Sequence, residues 1–85
     1  MRLDKFLKVS RIIKRRTVAK EVCDTGRVLV NGRVAKPGTN VKVGDIIEIQ
    51  YAAKTVKAEV LLEKEHVTKD EAKEMYRILQ GEEIE

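Results

Sequence analysis

The sequence predicts a small α+β protein with two N-terminal helices, a small bent antiparallel sheet and one C-terminal helix. Apolar residues recur with helical spacing before Gly26, β-rich runs separated by turn residues follow it, and a helix-capping motif stands near the end. The chain has 85 residues, 42% hydrophobic and 38% charged. Because so short a chain forms one modest core, we expect one domain over residues 1–85, with a core motif over 1–50 and an added strand and helix over 51–85.

The first two helices are expected to be short and amphipathic. Thr17 is the expected N-cap of the second helix, and Gly26 is its expected C′ residue. Phe6 shares the apolar stripe of the first helix, so it belongs in the core rather than in a base-stacking site. The apolar sets that define the two helices are Leu3, Phe6 and Leu7, then Val18, Ala19, Val22 and Cys23.

Turn residues divide the middle of the chain into strands. Asn31-Gly32 is a strong hairpin signal, because both residues tolerate the positive φ of a type I′ turn. Lys36-Pro37-Gly38 predicts a type II turn, and Gly44-Asp45 predicts a further turn. The predicted strands are residues 27–30, 33–35, 46–51 and 55–62.

A third helix is predicted near the C-terminus. Thr68-Lys69-Asp70-Glu71 has the capping-box pattern, and Gly81 marks the expected end of the helix. The apolar residues between these signals recur at i, i+3, i+4 and i+7; they are Ala72, Met75, Tyr76 and Leu79.

Charge is distributed unevenly along the chain. Residues 1–20 hold eight basic side chains and one acidic one, whereas residues 51–85 hold six basic and nine acidic ones. A polyanion is therefore expected to meet the N-terminal half. The basic segment of residues 10–17 precedes a helix N-terminus, which itself favours anions. Its arginines can each bind a phosphate with two donors. The alternative is a charged stretch that only keeps the surface soluble.

Other functional classes find little support in the sequence. The chain has no apolar run of membrane-spanning length and no signal peptide, so we expect a cytoplasmic protein. Its single cysteine, Cys23, is expected to be a small buried hydrophobe. His66 lacks a nearby serine or cysteine, and we find no metal-ligand cluster or phosphate-binding loop. We therefore expect neither catalysis nor a metal nor a cofactor.

Three motifs in residues 1–50 point to a known family. In order along the chain, these motifs are MRLDKFL, SRIIKRRTVAKE and GRVLVNGRVAKPGTNVKVGDIIEI. Together they resemble the RNA-binding domain named after the small-subunit ribosomal protein "S-four". The resemblance implies that the two helices and the hairpin form an αL-like motif that lays its basic face on structured RNA. Matching of residues implies an RNA face that includes Arg2, Lys5, Arg11, Arg15, Arg16, Thr17, Lys20 and Lys42. We expect the neighbouring cations Lys8 and Lys14 to belong to the same RNA-binding face.

The short C-terminal part makes the chain most similar to the small ribosome-associated quality-control branch of that family. This resemblance implies binding to stalled large ribosomal subunits that carry peptidyl-tRNA, with contacts to rRNA and tRNA. It also implies support for the partner RqcH in C-terminal alanine tailing of nascent chains. We expect the chain to act as a monomer.

Three alternatives stay open at this point. One is a heat-shock type factor that recycles obstructed large subunits, although the long basic tail of that branch is absent here. A helix-turn-helix regulator of DNA is another, since two short helices with a basic patch can enter a major groove. A fragment of an RNA-modifying enzyme is the third, and the missing catalytic domain disfavours it.

Arg2 and Arg16 are expected to contact RNA without contributing to the stability of the fold. Arg2 precedes the apolar stripe of the first helix, and Arg16 precedes the expected N-cap of the second. Both side chains should therefore project into solvent, so that replacing them should leave the free energy of unfolding almost unchanged.

Overall fold

A computed structural model describes residues 1–81 as an α+β fold, which confirms the predicted class. All neighbouring strands pair antiparallel in the order β2-β1-β3-β4-β5. A 3-10 turn, Lys73–Met75, joins the last helix to the last strand. The elements are α1 (Leu3–Val9), α2 (Arg16–Asp24), β1 (Val28–Val30), β2 (Arg33–Val34), β3 (Ile46–Gln50), β4 (Thr55–Val60), α3 (Lys69–Ala72) and β5 (Tyr76–Gln80).

One cluster of buried apolar side chains links the helices to the sheet. Phe6 and Cys23 have no exposed surface, as the helical stripes predict. Burial raises the pKa of the Cys23 thiol to about 11, and the charges of Asp4 and Asp24 act in the same direction. The thiol therefore stays protonated and packs as a small hydrophobe.

Helix α2 begins two residues earlier than the sequence indicates. Arg15, in an extended conformation, is its N-cap, so the prediction of Thr17 at that position is wrong and Thr17 lies in the first turn. The predicted end is confirmed, because Gly26 has φ +77°. The N–H of Gly26 donates to Cys23 O at 3.0 Å and that of Arg27 donates to Val22 O at 3.4 Å, which is the Schellman arrangement.

The hairpin turn between β1 and β2 follows the prediction. Asn31 has φ +52° and Gly32 has φ +84°, as a type I′ turn requires. The Asn31 amide nitrogen also donates to Asp45 Oδ1 at 3.0 Å, and its side-chain oxygen accepts from the Ile46 N–H at 2.9 Å. These two bonds tie the hairpin to the Gly44-Asp45 turn, where Gly44 has φ +95°.

The turn at Pro37-Gly38 is present but differs in type. The N–H of Thr39 donates to Lys36 O at 3.0 Å, which closes the four-residue turn. Gly38 is not among the residues with positive φ. A type II turn needs positive φ at that position, so the prediction of type II is wrong.

The C-terminal helix begins as predicted but is much shorter. Both hydrogen bonds of the capping box between Thr68 and Glu71 form. The prediction that helix continues through Tyr76 and Leu79 is wrong, because residues 76–80 form β5 and pair with β4. The edge of β4 offers backbone partners and an apolar surface for Tyr76, and this long-range pairing overrides a local helical pattern.

Candidate nucleic-acid interface

Two arginines from separate elements meet on one buried carboxylate. Arg2, just before α1, places Nε 3.2 Å from Asp4 Oδ1, and Arg16, at the start of α2, places Nε 3.4 Å from Asp4 Oδ2. The Asp4 side chain is 4% exposed, whereas those of Arg2 and Arg16 are 56% and 48% exposed. We call these three residues the Asp4 cluster. It holds two guanidinium groups side by side at the surface, where each keeps donors for a ligand.

The electrostatics of the cluster favour an ionised Asp4. Burial by itself would raise the pKa of this carboxyl, but hydrogen bonds from Arg2 and Arg16, the charge of Arg16 and the Lys5 N–H outweigh burial, so the pKa is lowered. The two side chains thus do not simply project into solvent as expected, because both contact a buried carboxylate, and we now predict that each contributes to stability. Each arginine compensates a charge that would be costly to bury alone.

The turn after β2 fixes the position of Arg2. The first N–H groups of α1 are capped from this segment, because Leu3 N donates to Thr39 O at 2.8 Å and Asp4 N donates to Pro37 O at 3.1 Å. Arg2 also forms an isolated antiparallel bridge with Asn40. Arg2 is thus held on both sides by backbone contacts before its side chain reaches Asp4.

The start of α2 adds exposed polar groups beside Arg16. Arg15, Thr17 and Lys20 are all exposed. Arg15 makes no capping hydrogen bond with its side chain, and the first turn of an α-helix leaves N–H groups without acceptors inside the helix. This end of α2 therefore combines positive side chains with a helix terminus that attracts anions.

Three further predicted cations lie around one cleft. Lys8, Arg11 and Lys14 line it from the end of α1 and from the connector to α2. Buried Ile12 and Ile13 anchor the connector in the core. The structure therefore brings these three side chains to one cleft. Their spacing in the sequence alone does not predict this arrangement.

Lys5 and Lys42 belong neither to the Asp4 cluster nor to the cleft lining. Lys5 Nζ lies 2.5 Å from Glu65 Oε1, and this bond lowers the pKa of Glu65. The positive charge of Lys5 is thus largely matched. Lys42 is exposed in the loop before β3, where its backbone N–H donates to Asp45, and its ammonium group has no ion pair with the carboxylates of residues 1–81.

Aromatic side chains contribute little exposed surface. Phe6 is fully buried and Tyr76 is 6% exposed, while Tyr51 is half-buried against the core. Burial raises the pKa of the Tyr51 phenol. A ligand would thus contact cations and backbone groups rather than exposed aromatic rings. Such a surface is better suited to binding phosphates than to stacking on bases.

The described part of the chain has neither a metal cluster nor a helix fit for a bilayer. Residues 1–81 contain no group of three or more His, Cys, Asp or Glu side chains arranged to hold a metal ion. Among the same residues, no helix has the length and apolar character that crossing a membrane requires.

The sequence gives little warning of three residues at this interface. Asp4 is the one acidic residue among residues 1–20, and that isolation is the only sequence signal of its role. His66 and Lys69 line the same cleft as Lys8. They lie in the half of the chain that the charge count assigns away from a polyanion, and only the tertiary fold brings them here.

Comparison with known proteins places this arrangement in a family. Residues 1–47 match the family description "S4 domain". A Listeria innocua protein named RQC P-site tRNA stabilizing factor is 58% identical over 82 residues, or 96% of this chain and 89% of its own length. The protein of the same name from Bacillus subtilis is 51% identical and covers 99% of this chain and 98% of its own length.

A solved relative shares the fold as well. The trimeric structure of Vibrio cholerae Heat Shock Protein 15 superposes with a TM-score of 0.83 and is 29% identical, covering 92% of this chain and 80% of that one. The resemblance drawn from the three sequence motifs is thereby confirmed. This chain belongs to the S4 domain family and, within it, to the group of the RQC P-site tRNA stabilizing factors.

Proposed function

We propose that this protein is a non-enzymatic RNA-binding factor of ribosome-associated quality control. The observation that carries the proposal is the Asp4 cluster, in which Arg2 and Arg16 are held together on one buried carboxylate. Paired guanidinium groups suit phosphate oxygens, and a fixed pair loses less conformational entropy on binding than two free side chains. The names of the relatives, which refer to tRNA in the P site, support the same ligand class.

The proposed RNA face extends over the predicted cations of the first two helices. Arg15, Thr17 and Lys20 would add contacts at the start of α2. Lys8, Arg11 and Lys14 would add contacts along the cleft, whereas Lys5, paired with Glu65, and Lys42, which does not line the cleft, would contribute less. Such a surface would read phosphate positions and RNA shape rather than base identity.

The proposed ligand is a large ribosomal subunit that still carries peptidyl-tRNA after a stall. The protein would touch both rRNA and tRNA, and would support RqcH in adding alanine to the nascent chain. This assignment places it in the cytoplasm as one domain over residues 1–85. It would act as a monomer. Light scattering would test this, and the test is needed because the Vibrio cholerae relative is described as trimeric.

The direct test compares two forms of the large subunit. Tagged protein is incubated with subunits that carry peptidyl-tRNA and with vacant subunits, and the bound fraction is measured with electron cryomicroscopy of the recovered particles. We expect a preference for the tRNA-bearing form, with the protein in contact with both RNAs. Equal binding to both forms would contradict a role at the tRNA, and alanine tailing reconstituted with and without the protein would test the RqcH step.

Salt dependence tests the phosphate contacts. If about five phosphates are neutralised, the logarithm of affinity should fall with the logarithm of salt concentration at a slope of roughly −3.5 to −4.5. A flat response would contradict the electrostatic account. Competition between duplex DNA and ribosomal RNA in the same assay separates this function from that of a DNA regulator.

The structural likeness to Heat Shock Protein 15 supports a second candidate function. A factor of that kind would recycle obstructed large subunits rather than support tailing. The two roles predict different outcomes in the reconstituted reaction, because a recycling factor would leave alanine addition by RqcH unchanged while increasing release of the tRNA.

A further inference from the structure

A cleft of about 420 Å³ lies between the end of α1 with its connector to α2 and the segment that leads into α3. Its volume falls in the usual range for pockets that hold small ligands. One wall comes from the end of α1 and the connector, and the other comes from residues 65–69, which lie outside the part of the chain that matches the S4 domain. Its charged and ring-bearing lining residues are Lys8, Arg11, Lys14, Glu65, His66 and Lys69.

The connector wall is held in a fixed conformation. Arg11 has φ +62°, a left-handed conformation that non-glycine residues seldom adopt. Its N–H donates to Lys8 O at 3.0 Å, and the N–H of Ile13 donates to Leu7 O at 3.0 Å. Because Ile12 and Ile13 are buried, these bonds fix the backbone that carries Arg11 at the cleft. An uncommon backbone conformation that the surroundings enforce is a typical feature of ligand sites.

The opposite wall is tethered to the N-terminal part of the chain. Lys5 Nζ contacts Glu65 Oε1 at 2.5 Å, and the N-terminal amine contacts Glu63 Oε1 at 3.2 Å. Val67 packs against the core. The capping box then fixes Thr68, so that Lys69 begins α3 at a defined position.

Among residues 1–81, the charged side chains that line the cleft are mostly cationic. Lys8, Arg11, Lys14 and Lys69 contribute cations, whereas Glu65 is the lining carboxylate and already interacts with Lys5 outside the cleft. The hydrogen bond from Lys5 lowers the pKa of Glu65, so this carboxylate is ionised at neutral pH. Several cations around a concave surface raise the local potential for an anion above that of a flat surface.

We propose that this cleft binds one phosphate of the bound RNA together with its attached nucleotide, and that Lys69 and His66 take part in RNA binding. The proposal rests on the proposed RNA-binding function and extends it to the segment before α3. Lys69 would donate to a phosphate oxygen, and the His66 imidazole could stack on a base or donate a hydrogen bond to the sugar.

The test compares Lys69→Ala with Lys73→Ala. Both lysines are exposed and belong to the same helical segment, but only Lys69 lines the cleft. With rRNA from the large subunit as the probe, Lys69→Ala should weaken binding about tenfold and make the salt slope less negative by about 0.7 to 0.9, as for one lost phosphate contact. Lys73→Ala should change neither quantity. Circular dichroism checks that both variants fold, which the intact capping box favours.

A second measurement separates RNA from a free nucleotide as the source of the phosphate. Amide shifts of His66 and Lys69 are followed by NMR during titration with the same rRNA or with adenosine monophosphate. We expect strong shifts with RNA and weak ones with the nucleotide. Saturation by micromolar nucleotide without displacement by RNA would overturn the proposal, as would equal affinity of wild type and Lys69→Ala for RNA. If the wild type bound no RNA, the proposed function would fail as well; if only the Lys69 effect were missing, that function would stand.

Discussion

Residues 1–50 and residues 51–81 both carry many basic side chains, but the two regions hold them differently. In the first region, Arg2 and Arg16 share a buried carboxylate and keep about half of their side-chain surface exposed. In the second, Arg77 and Lys57 each pair with a carboxylate of their own that is less buried, Glu59 at 25% and Glu48 at 21% exposed. The difference teaches that a basic surface depends on how its charges are paired and not only on their number.

The largest expected effect breaks the Asp4 cluster. Replacing both Arg2 and Arg16 with Ala leaves a carboxylate that is 4% exposed without a cationic partner. We expect the free energy of unfolding to fall by roughly 3 kcal/mol, and by about 1 kcal/mol for each single variant. Urea denaturation measures these changes. Arg15→Ala is the control, since this exposed residue should change stability by less than about 0.5 kcal/mol. A double variant as stable as wild type would show that the cluster does not support the fold.

A smaller effect is expected at the hairpin of the first region. Gly32 has φ +84°, and a Cβ there would meet no atom within 4 Å. Gly32→Val would therefore act through backbone strain alone, at a cost of about 1 to 2 kcal/mol. Thermal melting measures the loss. An unchanged melting temperature would mean that the turn relaxes, and that the hairpin is held less firmly than the Asn31 side-chain bonds indicate.

The smallest effect concerns acid. The folded pKa of Asp4 lies below its usual value of 3.8, so its stabilising contribution is complete above that value and is lost as the pH falls through the folded pKa. The stability difference between wild type and Asp4→Asn should therefore shrink from about pH 5 to about pH 3. Urea denaturation at both pH values measures it. A difference that stays constant or grows on acidification would contradict the sign of the shift.

The first region could be predicted closely because its signals are local. Gly26 and the Asn31-Gly32 pair both need positive φ, and few residues other than glycine and asparagine adopt it readily. The apolar stripe of Phe6 likewise predicts its burial. The start of α2 is displaced by two residues because Arg15 takes the extended N-cap conformation instead of Thr17, and the first three predicted strands are each one residue too long.

The second region could not be predicted as closely because long-range contacts decide it. Tyr76 fits a helical stripe in the sequence, but pairing with Val60 of β4 places it in a strand. The candidate site shows the same limit. Its cations could be found by counting charge, whereas the role of Asp4 and the approach of Lys69 to Arg11 depend on the folded chain.

The central claim is that exposed cations at the start of α2 contribute to RNA binding, whereas exposed lysines outside the cleft in residues 51–81 do not. The most direct measurement compares two double variants that remove the same charge from exposed positions, Arg15→Ala with Lys20→Ala and Lys54→Ala with Lys73→Ala. None of these four side chains forms a hydrogen bond or ion pair with Arg2, Asp4 or Arg16, and none lines the cleft. We expect the first pair to weaken binding to large-subunit rRNA at least about tenfold, as for one or two charge-assisted contacts. The second pair should change affinity by less than about threefold. Equal losses in the two variants, or a larger loss in the second, would contradict the account.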